Sequence, residues 1–141
     1  MIFTRAIKED INALYTLEMA TFEPWNSPLS KRSFAYHICK NLLVVAKENN
    51  ELLGYILVLT SSRVPRIYSL AVDVKATNKG IATQLLQQTF LSLPTRDIRL
   101  EVRVDNEKAI GLYEKLGFKK IGTKSAYYDD GCDALVMKRF Y

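Results

Sequence analysis

Cysteine and histidine are scarce in this sequence. The two cysteines, Cys39 and Cys132, lie far apart, and with a single histidine, His37, they make no recognisable zinc ligand set. The default expectation is therefore a reducing, cytoplasmic setting and a chemistry without a metal. Long apolar runs are missing too: the opening MIFTRAIKEDINALY alternates charge with hydrophobe, unlike a signal peptide or a membrane span. Nor is there a Lys/Arg block of the kind that forms a nucleic-acid-binding arm. The formal charge of +5 is spread along the chain, which suits an anionic ligand but does not identify one. Repeats, linkers and low-complexity stretches are absent. Neither nucleic acid nor membrane is expected as a partner.

What remains is ordinary globular material. A length of 141 residues, 48% hydrophobic and 25% charged, predicts one folded unit over 1–141 with a single core. Met1 to Ala6 reads as a strand, and Ile7, Ile11, Leu14 and Tyr15 recur at helical spacing in a segment running to about Ala20. Ser27 followed by Pro28 has the form of an N-cap with proline at the first helical position, predicting a helix to about Cys39. Leu42–Ala46 and Leu52–Thr60 are β-branched apolar runs flanking a polar turn, so they predict an antiparallel hairpin. The run IYSLAV predicts a further strand. KATNKG then leads to a helix marked by Ile81, Leu85, Leu86 and Phe90.

Asp97 to Val104 alternates cleanly, with Ile98, Leu100, Val102 and Val104 on one face and Arg99, Glu101 and Arg103 on the other. A helix from about Glu107 to Leu116 ends at Gly117, in the left-handed cap position. Phe118–Tyr127 and Ala134–Phe140 complete a last hairpin around Asp129, Asp130 and Gly131.

One loop carries chemistry on its own terms. In NKGIAT, Gly80 lets the backbone approach a ligand, and free N–H groups at a helix start bind phosphate oxygens with help from the helix dipole. A plain strand-to-helix turn is the alternative reading. Trp25, Tyr127 and Tyr128 stand beside turn residues and are candidate walls for a substrate pocket, or structural aromatics. No functional role is assigned to His37 or the cysteines.

The order of elements and the wording of the second half resemble the GNAT acetyltransferases. LAVDVKATNKGIATQLL is similar to their acetyl-CoA motif, with Gly80 and Ala82 in the pattern. LEVRVDNEKAIGLYEKLGF is similar to their second signature, a strand, an Asn, a helix with a Tyr, and Gly-Phe at its end. Together with SAYYDDGCDALVM and EPWN, the wording is nearest to the branch that acetylates the N-terminal alanine of ribosomal protein S18. Thr77 and Asn78 depart from the Gln/Arg and Gly/Arg usual at those positions. Pyrophosphate binding would then rest mainly on backbone N–H groups from Asn78 to Thr83.

The resemblance implies a mixed α/β fold with a central, mostly antiparallel sheet of six to seven strands and about four flanking helices. It implies acetyl-CoA as co-substrate, no metal, and an acceptor that is a protein N-terminus, in a monomer or weak dimer. Asn78, Lys79, Gly80, Ile81, Ala82, Thr83 and Asn106 would hold the cofactor. Backbone groups of Leu70, Ala71 and Val72 would pair with its pantetheine arm and face the thioester oxygen.

Glu101 would be the general base and Tyr113 the general acid toward the CoA thiolate. From the residues alone, Glu101 reads equally as a surface glutamate paired with Arg99 and Arg103, Tyr113 as core, and Asn106 as a helix cap. Two alternatives stay open. One is a GNAT enzyme acting on a small-molecule amine or a lysine side chain; the other is a non-catalytic acyl-CoA-binding module.

Overall fold

The computed structural model describes residues 1–21, 23–24 and 26–141. In chain order it contains β1 (Ile2–Arg5), α1 (Ile11–Ala20), α2 (Lys31–Lys40), β2 (Leu42–Glu48), β3 (Glu51–Leu59) and β4 (Arg66–Val72). The second half contains α3 (Ile81–Ser92), β5 (Ile98–Arg103), α4 (Glu107–Lys115), β6 (Phe118–Lys124) and β7 (Ala134–Arg139). The strands form one seven-stranded sheet in the order β1-β2-β3-β4-β5-β7-β6, antiparallel throughout except for β4 beside β5. This is the mixed, mostly antiparallel sheet with four helices that the sequence predicts.

The apolar alternation of β2 and β3 divides between two cores. Leu42, Val44, Ile56 and Val58 join Leu85 and Leu86 of α3, whereas Leu43, Val45, Tyr55 and Leu57 join Leu14 and Leu17 of α1 and Phe34 of α2. Both faces of this half of the sheet are thus dry, which is why β2 and β3 read as nearly continuous hydrophobic runs. Each fully buried Leu or Ile here contributes roughly 1.5–3 kcal/mol of transfer free energy. The β2–β3 turn places Asn49 and Asn50 at positive φ, 53° and 63°, the conformation of a two-residue hairpin turn. Gly54 marks a close approach, because a Cβ there would stand 3.0 Å from the Ala71 carbonyl oxygen and 3.2 Å from the Ile81 side chain.

Two sequence-based boundaries are corrected. α2 starts three residues later than expected, capped by Ser30, whose Oγ accepts from the Ser33 N–H at 3.1 Å. The Leu29 N–H is bound to the Glu18 carboxylate at 2.7 Å. That tertiary bond ties the residue before the Ser30 cap to α1. β6 stops at Lys124 instead of Tyr127, since Ala126 takes φ 48° and donates its N–H to Asp133 Oδ1 at 2.8 Å. The segment carrying Tyr127 and Tyr128 is therefore loop.

Only two residue pairs join β4 to β5, Arg66 with Arg99 and Ile67 with Leu100. Beyond them β4 stays on β3 as far as Val72, and β5 stays on β7 as far as Arg103. The two strands diverge, and the sheet opens.

Candidate active site

The divergence opens a cleft of about 730 Å³, lined on one side by Leu70–Val72 of β4 and on the other by Leu100–Arg103 of β5. Among the described residues no strand pairs with the β5-facing edge of β4 beyond Ile67, so that edge presents backbone donors and acceptors to the cleft. The cleft connects the two faces of the sheet. Tyr113 reaches it from the α3/α4 core, whereas Glu101 projects from the opposite, charged face of β5.

Glu101 is the centre of the charged face. Its side chain is only 3% exposed, yet it binds three cations: Arg66 Nε at 2.8 Å, Arg99 Nη1 at 3.0 Å and Lys124 Nζ at 3.0 Å. Burial alone would push its carboxyl up, but the Lys124 hydrogen bond and the charge and hydrogen bond of Arg66 outweigh it and hold the group below the usual carboxylate range. Glu101 stays ionised at neutral pH. Of the two arginines paired with it in sequence, Arg99 is a partner in the fold. Arg103 instead grips Asp105 and, in a bidentate pair at 3.0 and 2.8 Å, Asp130. Arg66 and Lys124 were invisible as partners, being 35 and 23 residues away in sequence.

Tyr113 packs edge-on to Phe118 at 5.7 Å between centroids, and burial pushes its hydroxyl up to about 12. The hydroxyl therefore remains protonated and available as a donor. Asn106 caps α4, its side chain accepting from the Ala109 N–H at 3.2 Å, and it also lines the cleft. The cap and the cleft position coexist in one residue.

The loop Asn78–Thr83 does not line this cleft; it sits at the start of α3, the helix that follows β4. Asn78 and Gly80 take φ 71° and 72°, and the first bond of α3 runs from the Gln84 N–H to the Gly80 carbonyl at 3.1 Å. The N–H groups of Ile81, Ala82 and Thr83 thus precede the helical ladder and project from its start. A Cβ built on Gly80 meets nothing within 4 Å, so the loop presents open space there. Lys79 lies 3.6 Å from Glu48.

On the charged face, Tyr127 receives a 2.6 Å hydrogen bond from Arg66 Nη2, and Tyr128 lies under the Arg103 guanidinium at 5.2 Å from its ring centroid. The two tyrosines are edge to face at 5.1 Å, and both line the cleft together with Glu101. Trp25, the third candidate of the acceptor wall, lies outside the described residues. Away from the cleft, His37 sits 2.9 Å from Asn41 Nδ2 and both cysteines are free thiols.

Residues 11–118 match the acetyltransferase (GNAT) family. The chain is 32% identical over 137 residues to a putative [ribosomal protein bS18]-alanine N-acetyltransferase of Bacillus subtilis, covering 92% of this chain and 88% of that one. It is 46% identical over 81 residues to an N-alpha-acetyltransferase of Saccharolobus solfataricus, covering 55% of this chain and 48% of the relative. The solved structure of the ribosomal-protein-S18-alanine N-acetyltransferase from Escherichia coli superposes with a TM-score of 0.86 at 26% identity, covering 98% of this chain and 92% of that one. Of two of the curated relatives it matches, the chain spans less than half the length, 38% and 48%.

Proposed function

Because the chain belongs to the acetyltransferase (GNAT) family, we propose that it moves an acetyl group from acetyl-CoA to the N-terminal α-amine of a protein such as ribosomal protein S18. The transfer is direct and needs no metal. The observation that carries this is the parting of β4 and β5 after two residue pairs, which opens a passage between a backbone edge and a charged face. The residues present fit the co-substrate. Free N–H groups and open space at the Gly80 loop suit a pyrophosphate, and the unpaired edge at Leu70–Val72 suits the amides of a pantetheine arm.

Acetyl-CoA supplies the activated thioester, and the chain's own groups do the rest. A backbone N–H of the Leu70–Val72 edge would stabilise charge on the carbonyl oxygen as the amine attacks. Tyr113, protonated and beside the cleft, would donate to the departing sulfur. Glu101 is a weak base because three cations hold it ionised. It would take its proton as the N–C bond forms and the nitrogen becomes acidic. A weak base favours an amine that is easily deprotonated: an α-amine near pKa 8 is roughly two hundredfold more deprotonated at neutral pH than a lysine near 10.4. Tyr127 and Tyr128, with Trp25, would form the wall against which the acceptor chain lies.

The test is a panel incubated with labelled acetyl-CoA: a peptide with the S18 N-terminus, lysine peptides with blocked N-termini, and polyamines. The expected result is label on the α-amine peptide. Label on polyamines or lysine alone would replace this acceptor with another, and no label on any would favour an acyl-CoA-binding module.

A further inference from the structure

The charged face of the cleft holds a second carboxylate, and it is bonded quite differently from Glu101. Glu18 of α1 lines the cleft and accepts two hydrogen bonds from neutral donors, the Leu29 N–H and the Tyr55 hydroxyl, each at 2.7 Å. Among the described residues no Lys or Arg forms an ion pair with it. Tyr55 is fully buried, and its oxygen lies 2.7 Å from Ser69 Oγ, which again lines the cleft, on β4 beside Leu70.

The protons of this chain have one arrangement. The Tyr55 hydroxyl donates to Glu18 Oε1, so its single proton points to that carboxylate. The Tyr55 oxygen must then accept from Ser69, whose single hydrogen is thereby used. Ser69 is left to show lone pairs to the cleft.

We propose that Ser69 Oγ receives the entering acceptor ammonium and that Ser69, Tyr55 and Glu18 form the path by which its first proton leaves. The proposal rests on the acetyl-transfer reading above. The nitrogen sheds two protons in each turnover, one to become a nucleophile and one as the amide forms. In the first step an N–H bond breaks and the proton joins Ser69 Oγ. The Ser69 proton moves to the Tyr55 oxygen, and the Tyr55 proton moves to Glu18 Oε1. The products are a neutral amine and a neutral Glu18 carboxyl, with Ser69 and Tyr55 chemically unchanged, and Glu18 returns its proton to water in the cleft. The second proton falls to Glu101, which three cations make a poor acceptor from a full ammonium. The titratable groups acting on Tyr55 are Glu18 from α1 and Tyr68 from β4. The other charged side chains lining the cleft are Glu23, Arg66, Glu101, Arg103 and Asp129.

Ser69→Ala and Tyr55→Phe each cut the path while keeping most of the local volume. Acetyl transfer to an α-amine peptide should be measured between pH 6 and 9, with acetyl-CoA affinity and melting temperature recorded for each variant. Both variants should be about tenfold slower than wild type near pH 6–7, and the gap should close toward pH 9, where an amine of pKa about 8 arrives already neutral. Acetyl-CoA affinity should match wild type. A rate ratio that is the same at every pH in folded protein means a packing role and overturns the path. If Tyr55→Phe fails to fold, Ser69→Ala decides alone, and full activity in it overturns the path as well. A wild-type protein that acetylates no amine overturns the acetyl-transfer reading itself, whereas an active wild type with a flat ratio overturns only the path.

Discussion

The two halves of the sheet are covered differently. Through β2, β3 and β4, one face packs on α3 and the other on α1 and α2, so Tyr55, Leu57, Val45 and Phe34 are fully buried. From β5 onward only one face joins the core, through Ile98, Leu100, Val102 and Met137, and the other carries Arg99, Glu101 and Arg103. The cleft lies where the apolar cover ends. The uncovered face of the second half is free to hold charge against the opening. A buried carboxylate there is tolerable because Arg66, Arg99 and Lys124 converge on it.

The sharpest way to break this division is to change the chemistry without the packing. Glu101→Gln and Tyr113→Phe keep shape but remove the groups proposed to transfer protons, so turnover should fall by roughly 10²- to 10⁴-fold with little change in acetyl-CoA affinity. Steady-state rates with calorimetric titration of acetyl-CoA would show it. Near-wild-type turnover in both would mean that solvent handles the protons.

A smaller effect is expected at the loop before α3. Gly80→Asp places a negative charge in open space at a helix start, so acetyl-CoA affinity should fall by about tenfold. The unliganded fold should lose only about 1 kcal/mol for an aspartate at φ 72°. An unchanged thermal shift with acetyl-CoA in this variant would place the phosphates elsewhere.

The smallest effect is on stability and its pH dependence. The Glu101 carboxyl is held below its ordinary value, so its ion pairs stabilise the fold at pH above the unfolded carboxylate range, near 4.3, and that contribution is lost as pH falls through the lower folded value. The melting-temperature gap between wild type and Glu101→Gln should therefore be widest near neutrality and close below about pH 4. A gap that stays constant on acidification would show that the charges of this face do not stabilise it.

Periodicity and turn chemistry made most of the elements legible. The alternation of Ile98–Arg103, the Asn49–Asn50 turn and the Gly117 cap at φ 95° are local features, set by side-chain spacing and backbone preference within a few residues. The same locality explains the misplaced start of α2: Ser27–Pro28 and Ser30 are both sound caps by local pattern, and the fold uses Ser30. Gly80, Glu101, Asn106 and Tyr113 were legible as candidates through the wording of their motifs.

The sequence by itself determined the class of fold, the two faces of the Ile98–Arg103 strand and the residues proposed for acetyl transfer, because these follow from short-range patterns. Only the tertiary structure decided which cations hold Glu101, since Arg66 and Lys124 come from other strands, and Arg103 was drawn away by Asp130 on the β6–β7 loop. It also decided that β7 inserts between β5 and β6, and that β4 leaves β5 after two pairs. Strand order and divergence arise from how two cores pack on one twisted sheet, and no stretch of a few residues carries that information.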